Sequence, residues 1–150
     1  MRLNHGALGI DLPPDWRNQS TLLFVAPRPK LNLPSTAEVQ QPTEAISISF
    51  YYDTQSPQAL LGQQAEQLGQ VHPGFAVIDD GPISSGLGDG WRYTQDLDMD
   101  GTPVRQIAAA FAIGPVTVLA TAATVRETFE ARREELTQIL CSLSLEAIAP

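Results

Sequence analysis

Positive charge is scarce in this 150-residue chain: nine Lys and Arg stand against 17 Asp and Glu, giving a net charge of −8. A phosphate backbone is repelled by such a field, which argues against nucleic acid as a partner. Stable anchoring to an anionic membrane is disfavoured for the same reason. Cysteine is nearly absent, and Cys141 alone cannot close an internal disulfide, which is consistent with a reducing compartment. The only histidines are His5 and His72, and no Cys/His group has metal-ligand spacing. No apolar run approaches the ~18 residues of a membrane helix. The apolar stretch at 6–10 is too short for the core of a signal peptide and lacks a small-residue cleavage site. These absences predict a soluble, cytoplasmic chain with no metal and no cofactor.

What is present is a globular composition, with 43% hydrophobic and 17% charged residues. The length suits one domain spanning 1–150. Gln, Ser, Thr and Ala are plentiful, which gives a mild surface and small side chains on the strands. Residues 9–12 read as a short strand stopped by Pro13-Pro14, and 21–26 as a β-rich run ended by Pro27. Four prolines make 27–44 a loop. Residues 45–53 alternate: Ile46, Ile48, Phe50 and Tyr52 face one way, Ser47, Ser49 and Tyr51 the other. Ser56-Pro57 is a helix start, with Leu60, Leu61, Leu68 and Val71 at helical spacing before Pro73-Gly74. Residues 75–78 form a strand, Asp79-Asp80-Gly81-Pro82 a turn, and 91–99 a second alternating strand. Asp100-Gly101 signals a hairpin. Strand 104–113, a turn at Gly114-Pro115 and strand 116–124 precede a helix starting near Arg126, whose apolar stripe is Phe129, Leu136, Ile139, Leu140 and Leu143. The pattern predicts an α+β fold: an antiparallel sheet of about six or seven strands packed by two main helices.

Candidate chemistry is thin. Asp96, Asp98, Asp100 and Gly101 match the opening of a calcium loop, but its twelfth position is Ile107 where a bidentate Glu is needed. A strand running into a hairpin accounts for the same residues. Gly86, Gly88 and Gly90 look like a phosphate loop, yet the spacing is wrong and a strand follows where a helix should. His72 is placed to suit a helix C-terminus; a distant Ser could use it as a base, but nothing in the spacing supports that pairing. Cys141 sits beside Leu140 and Leu143 as a small packed side chain. Glu127, Glu130, Glu134 and Glu135 with Arg132 and Arg133 read as a solvated, salt-bridged helix face. No catalytic residue emerges, and the chain is expected not to be an enzyme.

Strand 104–113 is apolar on both faces. Ile107, Ala109, Phe111 and Ile113 form a larger-residue face suited to helices; Gln106, Ala108, Ala110 and Ala112 form a small, flat one. Together with Ser47 and Ser49, that second face would let a partner helix approach closely and offer it hydroxyls and amides. The plainer account is that the second helix or the 27–44 loop covers it.

Several segments, in this order along nearly the whole chain, carry a family resemblance: Leu12-Pro13-Pro14-Asp15-Trp16-Arg17-Asn18-Gln19-Ser20, Leu68 through Pro73-Gly74-Phe75, Gly81-Pro82, Gly90-Trp91-Arg92-Tyr93, Pro103-Val104-Arg105-Gln106 and Leu119-Ala120-Thr121-Ala122. In them the sequence resembles the DcrB-like family, which implies a Mog/PsbP-like fold. Among family members without a signal peptide are the Eag chaperones of type VI secretion, which hold hydrophobic N-terminal segments of effectors on a sheet face, often as dimers. The resemblance thus implies a cytoplasmic chaperone or adaptor whose partner is the hydrophobic segment of a secreted effector, docked on Ser47, Ser49, Gln106, Ala108, Ala110 and Ala112, and it leaves room for a homodimer. The alternative it allows is a regulatory or small-ligand-binding domain of the same fold. The proline-containing insert at 27–44 departs from the family pattern and bears on the groove and partner choice.

Overall fold

The computed structural model describes residues 2–5, 8–11, 21–25, 44–52 and 55–144. Ten elements follow one another: β1 (Arg2–His5), β2 (Leu8–Asp11), β3 (Thr21–Val25), β4 (Glu44–Tyr51), α1 (Pro57–Val71), β5 (Ala76–Ser85), β6 (Gly88–Met99), β7 (Thr102–Ile113), β8 (Val116–Val125) and α2 (Arg126–Cys141). β1 and β2 pair as a separate hairpin; β1 had no counterpart in the sequence reading. The other six strands form one antiparallel sheet in the order β3-β4-β8-β7-β6-β5, as expected of an α+β fold. The family-like segment at 12–20 and the 27–43 part of the proline-containing insert lie outside the described residues.

Local chemistry explains most boundaries. At the start of α1, the Ser56 side chain accepts from the Ala59 N–H at 3.1 Å and Pro57 occupies the first turn. Asp100 and Gly101 both have positive φ (51° and 84°), the requirement of the tight turn whose twist matches a hairpin. One expectation fails. Asp79-Asp80-Gly81-Pro82 is not a turn but the middle of β5, and the chain reverses later, at Gly86-Leu87. Cross-strand partners hold it straight: Arg92 donates to Asp79 Oδ1 at 2.6 Å and Trp91 Nε1–H to Asp80 Oδ2 at 3.0 Å. Pro82 is tolerated because β5 is an edge strand whose missing N–H costs no ladder bond.

The sheet has a helix on each face. α2 packs its buried Phe129, Leu136 and Leu140 against Ile107, Ala109 and Phe111 of β7, Ala120 and Ala122 of β8 and Ile83 of β5. The Phe129 ring carries Arg105 and Arg133 at 5.7 and 5.1 Å from its centroid. α1 lies on the opposite face with Leu60 and Leu61 against Ala108, Ala110 and Leu119, flanked by Tyr51, Trp91 and Tyr93.

Candidate protein-binding face

Side-chain alternation and strand register put all six expected docking residues on one face, the one that carries α1. Ser47 stands opposite Thr121, and Thr121 opposite Ala108; Ser49 stands opposite Leu119, and Leu119 opposite Ala110. The face is not uniformly open. Ala108 and Ala110 are buried, at 2% and 0% exposure, beneath Leu60 and Leu61. Among the described residues this cover comes from the first helix and not from the second. The small alanines allow the close approach foreseen for a partner, and α1 makes that approach itself. Ala112 is exposed at the end of β7, while Ser47, Ser49 and Gln106 are half-buried.

Beside α1 runs a strip with a different character. Leu23 is 67% exposed; Ser47 lies next to it on β4, with Thr121 beyond on β8. Ala45 and Ala123 form the adjoining row and are half-buried. Ser47 and Thr121 share a hydroxyl–hydroxyl hydrogen bond of 2.6 Å. Three strands spaced ~4.8 Å apart span about 10 Å, one helix diameter. Exposure of Leu23 was not foreseen, because a five-residue apolar run reads the same whether a strand is central or at an edge.

α1 is lightly seated for a helix of 15 residues. Leu60 and Leu61 are its only buried side chains, contributing roughly 1.5–3 kcal/mol each. Its C-terminal Val71 is 72% exposed. Its other ties lie near both ends and at the middle: Gln64 Nε2–H donates to Tyr51 Oη at 2.8 Å, Thr117 Oγ1–H to the Gln55 carbonyl at 3.2 Å ahead of the cap, and the C-cap His72 Nδ1 lies 3.3 Å from the Asp98 carbonyl oxygen of β6. Burial raises the Tyr51 phenol above its ordinary pKa.

The opposite face is polar where α2 begins. Asp96 accepts two hydrogen bonds from Arg105, at 2.6 and 3.0 Å, and Arg126 lies 3.5 Å away. Arg105 thereby holds the Asp96 carboxyl below its usual range, and Arg92 does the same for Asp79. Asp96 is thus engaged with arginines on a strand, not turned with Asp98 and Asp100 into a cation loop; among the described residues no group of three or more His, Cys, Asp or Glu is placed to hold a metal ion. His72 Nδ1 lies 3.3 Å from the Asp98 carbonyl oxygen. The glycines 86, 88 and 90 belong to the β5–β6 hairpin. Gly90 lies under Phe111, and the chain leaving α2 at Leu143-Ser144 crosses Gly86 so closely that a Cβ there would come within 2.7 Å of the Ser144 Cβ. Glu130 and Glu135 pair with Arg133 and Arg132, and Arg132 also bridges to Glu44 on β4. Cys141 is half-buried against the α2 core. Near it, where α2 ends, Ile46, Ile48, Ala120, Ile139, Leu140, Ser142 and Leu143 line an apolar cleft of about 190 Å³. No described helix is long and apolar enough to cross a membrane.

No protein-family model and no curated protein matches the chain. Solved structures do. A Pseudomonas aeruginosa protein of unknown function, PA94, superposes with a TM-score of 0.70 at 14% identity, over 98% of this chain and 97% of that one. PsbP of the cyanobacterium Synechocystis sp. PCC 6803 gives 0.56 at 5% identity, over 89% and 96%. LpqN, involved in cell envelope biogenesis of Mycobacterium tuberculosis, gives 0.47 at 15% identity, over 95% and 86%. At these identities the likeness concerns the fold, and the fold of this chain is PsbP-like, as the DcrB-like resemblance implied.

Proposed function

We propose that the chain is a non-catalytic, cytoplasmic protein-binding domain, a chaperone or adaptor that holds hydrophobic N-terminal segments of a type VI secretion effector on the α1 face of its sheet. The observation that carries this reading is the helix-wide strip beside α1, where exposed Leu23 borders Ala45, Ser47, Thr121 and Ala123. An apolar effector helix left in water would aggregate; laying it on a preformed sheet removes its surface from water at roughly 25 cal/mol per Å². Alanines permit close backbone approach, and hydroxyls serve the same purpose as the small polar residues between membrane helices. The Asp79 and Asp96 carboxylates are engaged with arginines on the other face. The partner is a protein, with neither nucleic acid nor membrane required.

A second reading, a regulatory or small-ligand-binding domain, has one observation in its favour: the apolar cleft at the end of α2, on the face opposite the strip. PA94, of the same fold, is itself described as a candidate regulator. The test is to tag the protein at native level in its source cell and identify what co-purifies. Stoichiometric recovery of one large protein, lost when that protein's hydrophobic N-terminal segment is deleted, supports the chaperone reading. Recovery of the domain alone, with secretion genes expressed, counts against it and turns attention to the cleft.

A further inference from the structure

The strip beside α1 is wide enough for one helix but poor in apolar surface: among its described side chains only Leu23 is large. The apolar rows of that face, with Trp91, Tyr93, Leu119, Ala108 and Ala110, lie beneath or against α1. From this division we infer that α1 is a resident placeholder on the partner's seat, and that an incoming apolar helix displaces it from β6 and β7. The inference rests on the reading of this face as a helix-docking surface and adds how that surface is regulated.

Three features of α1 support it. The helix shows directly that these rows accept a helix, since Leu60 and Leu61 pack on Ala108, Ala110 and Leu119. Its fully buried footing is two adjacent leucines, with Gln64, Ala65 and Leu68 half-buried beside them, so a longer apolar helix presents more to the same surface. Its intrinsic helicity is also weak: Gly62 and Gly69 interrupt it, the first turn has no acidic residue and the last turn no basic one. Such a helix covers the aromatic rows against aggregation while the site is empty and gives way when a better ligand arrives. The observed affinity of the partner is then its affinity for the bare seat reduced by the fraction of molecules whose α1 is already off it, so fixing α1 in place must remove binding at this seat.

Gln64 and Tyr51 touch across the α1–β4 boundary, which gives a place to fix it. In a Cys141→Ser background, Gln64→Cys and Tyr51→Cys are joined by a short bis-maleimide; the control carries the same cysteines capped singly. The probe is a fluorescent 20-residue Leu/Ala helix with lysines at both ends, measured against the full chain. In parallel, hydrogen exchange of residues 60–71 is followed in the unaltered protein with and without probe. The inference expects the cross-link to weaken binding at least ten-fold relative to the capped control, and the probe to accelerate exchange in α1. Equal binding by both forms, or unchanged α1 protection with probe bound, overturns the displacement while leaving the docking face standing. Failure of the capped control and of the unaltered protein to bind the probe sinks the docking reading itself, and the displacement with it.

Discussion

Gly90→Ala probes the geometry that ties the sheet to α2. Gly90 of β6 stands opposite Phe111 of β7, and the Phe111 ring, 0% exposed, lies across it toward the helix. A Cβ at position 90 would come within 2.6 Å of Phe111 Cδ1 and 3.0 Å of Cε1, and closer still to the Ala110 carbonyl oxygen. The ring cannot swing away, because Phe129, Ile83 and Ile107 close around it in the core. The backbone carbonyl is fixed in the β6–β7 ladder. Overpacking a filled core costs about 1–3 kcal/mol, and the double clash with ring and backbone places this change at about 3. At about 2–4 °C per kcal/mol for a domain of this size, the melting temperature should fall by about 6–12 °C. Thermal unfolding followed by circular dichroism measures it. Adding Phe111→Leu should recover only part of the loss, since the carbonyl contact remains. A shift below about 1 °C for Gly90→Ala would refute the placement of Phe111 over β6.

Other substitutions test other parts of the account. Gly62→Ala in α1 meets nothing nearer than the Tyr93 hydroxyl at 4.0 Å, so it should stabilise the protein by roughly 0.5–1 kcal/mol in urea unfolding; destabilisation would show that α1 lies closer to β6 than described. Asp96, its pKa lowered chiefly by the Arg105 hydrogen bonds, contributes stability that is full above about pH 4, its unfolded value, and is lost as pH falls through the lower folded value. Asp96→Asn should therefore lower the urea midpoint at pH 7 and flatten its decline below pH 4, whereas curves parallel to the parent's would contradict the pairing. Ala110→Arg forces a charge beneath Leu60 and Leu61, so lost partner binding should come with faster exchange in α1 and a lower melting temperature; a variant that stays as stable as the parent would mean the helix does not press on this position.

Alternation made most of the sheet legible. The pattern of β4, the Asp100-Gly101 hairpin, the Ser56 cap and the start of α2 at Arg126 were all readable, because each depends on residues within a few positions of one another. β5 was cut short because Asp-Asp-Gly-Pro is turn chemistry wherever it stands alone. Only the neighbouring Arg92 and Trp91, over ten positions away in the chain, make it a strand. The two faces of β7 were also legible as one large and one small. Which helix each would meet was not, since small residues suit any close-packed neighbour, and α1's single pair of buried leucines gives a faint amphipathic signal. The cleft at the end of α2 had no sequence signal at all: Ile46, Ala120 and Ile139 converge only through the pairing of β4 with β8 and the path of the helix above them.

The central claim is that an apolar helix settles on the strip beside α1. In a Cys141→Ser background, an environment-sensitive dye at Ser47→Cys reports on the strip, and the same dye at Ile139→Cys reports on the opposite face. On titration with the Leu/Ala probe helix, the dye at position 47 should shift to the blue and saturate, while that at 139 stays unchanged. A silent position 47, or a larger response at 139, would contradict the account.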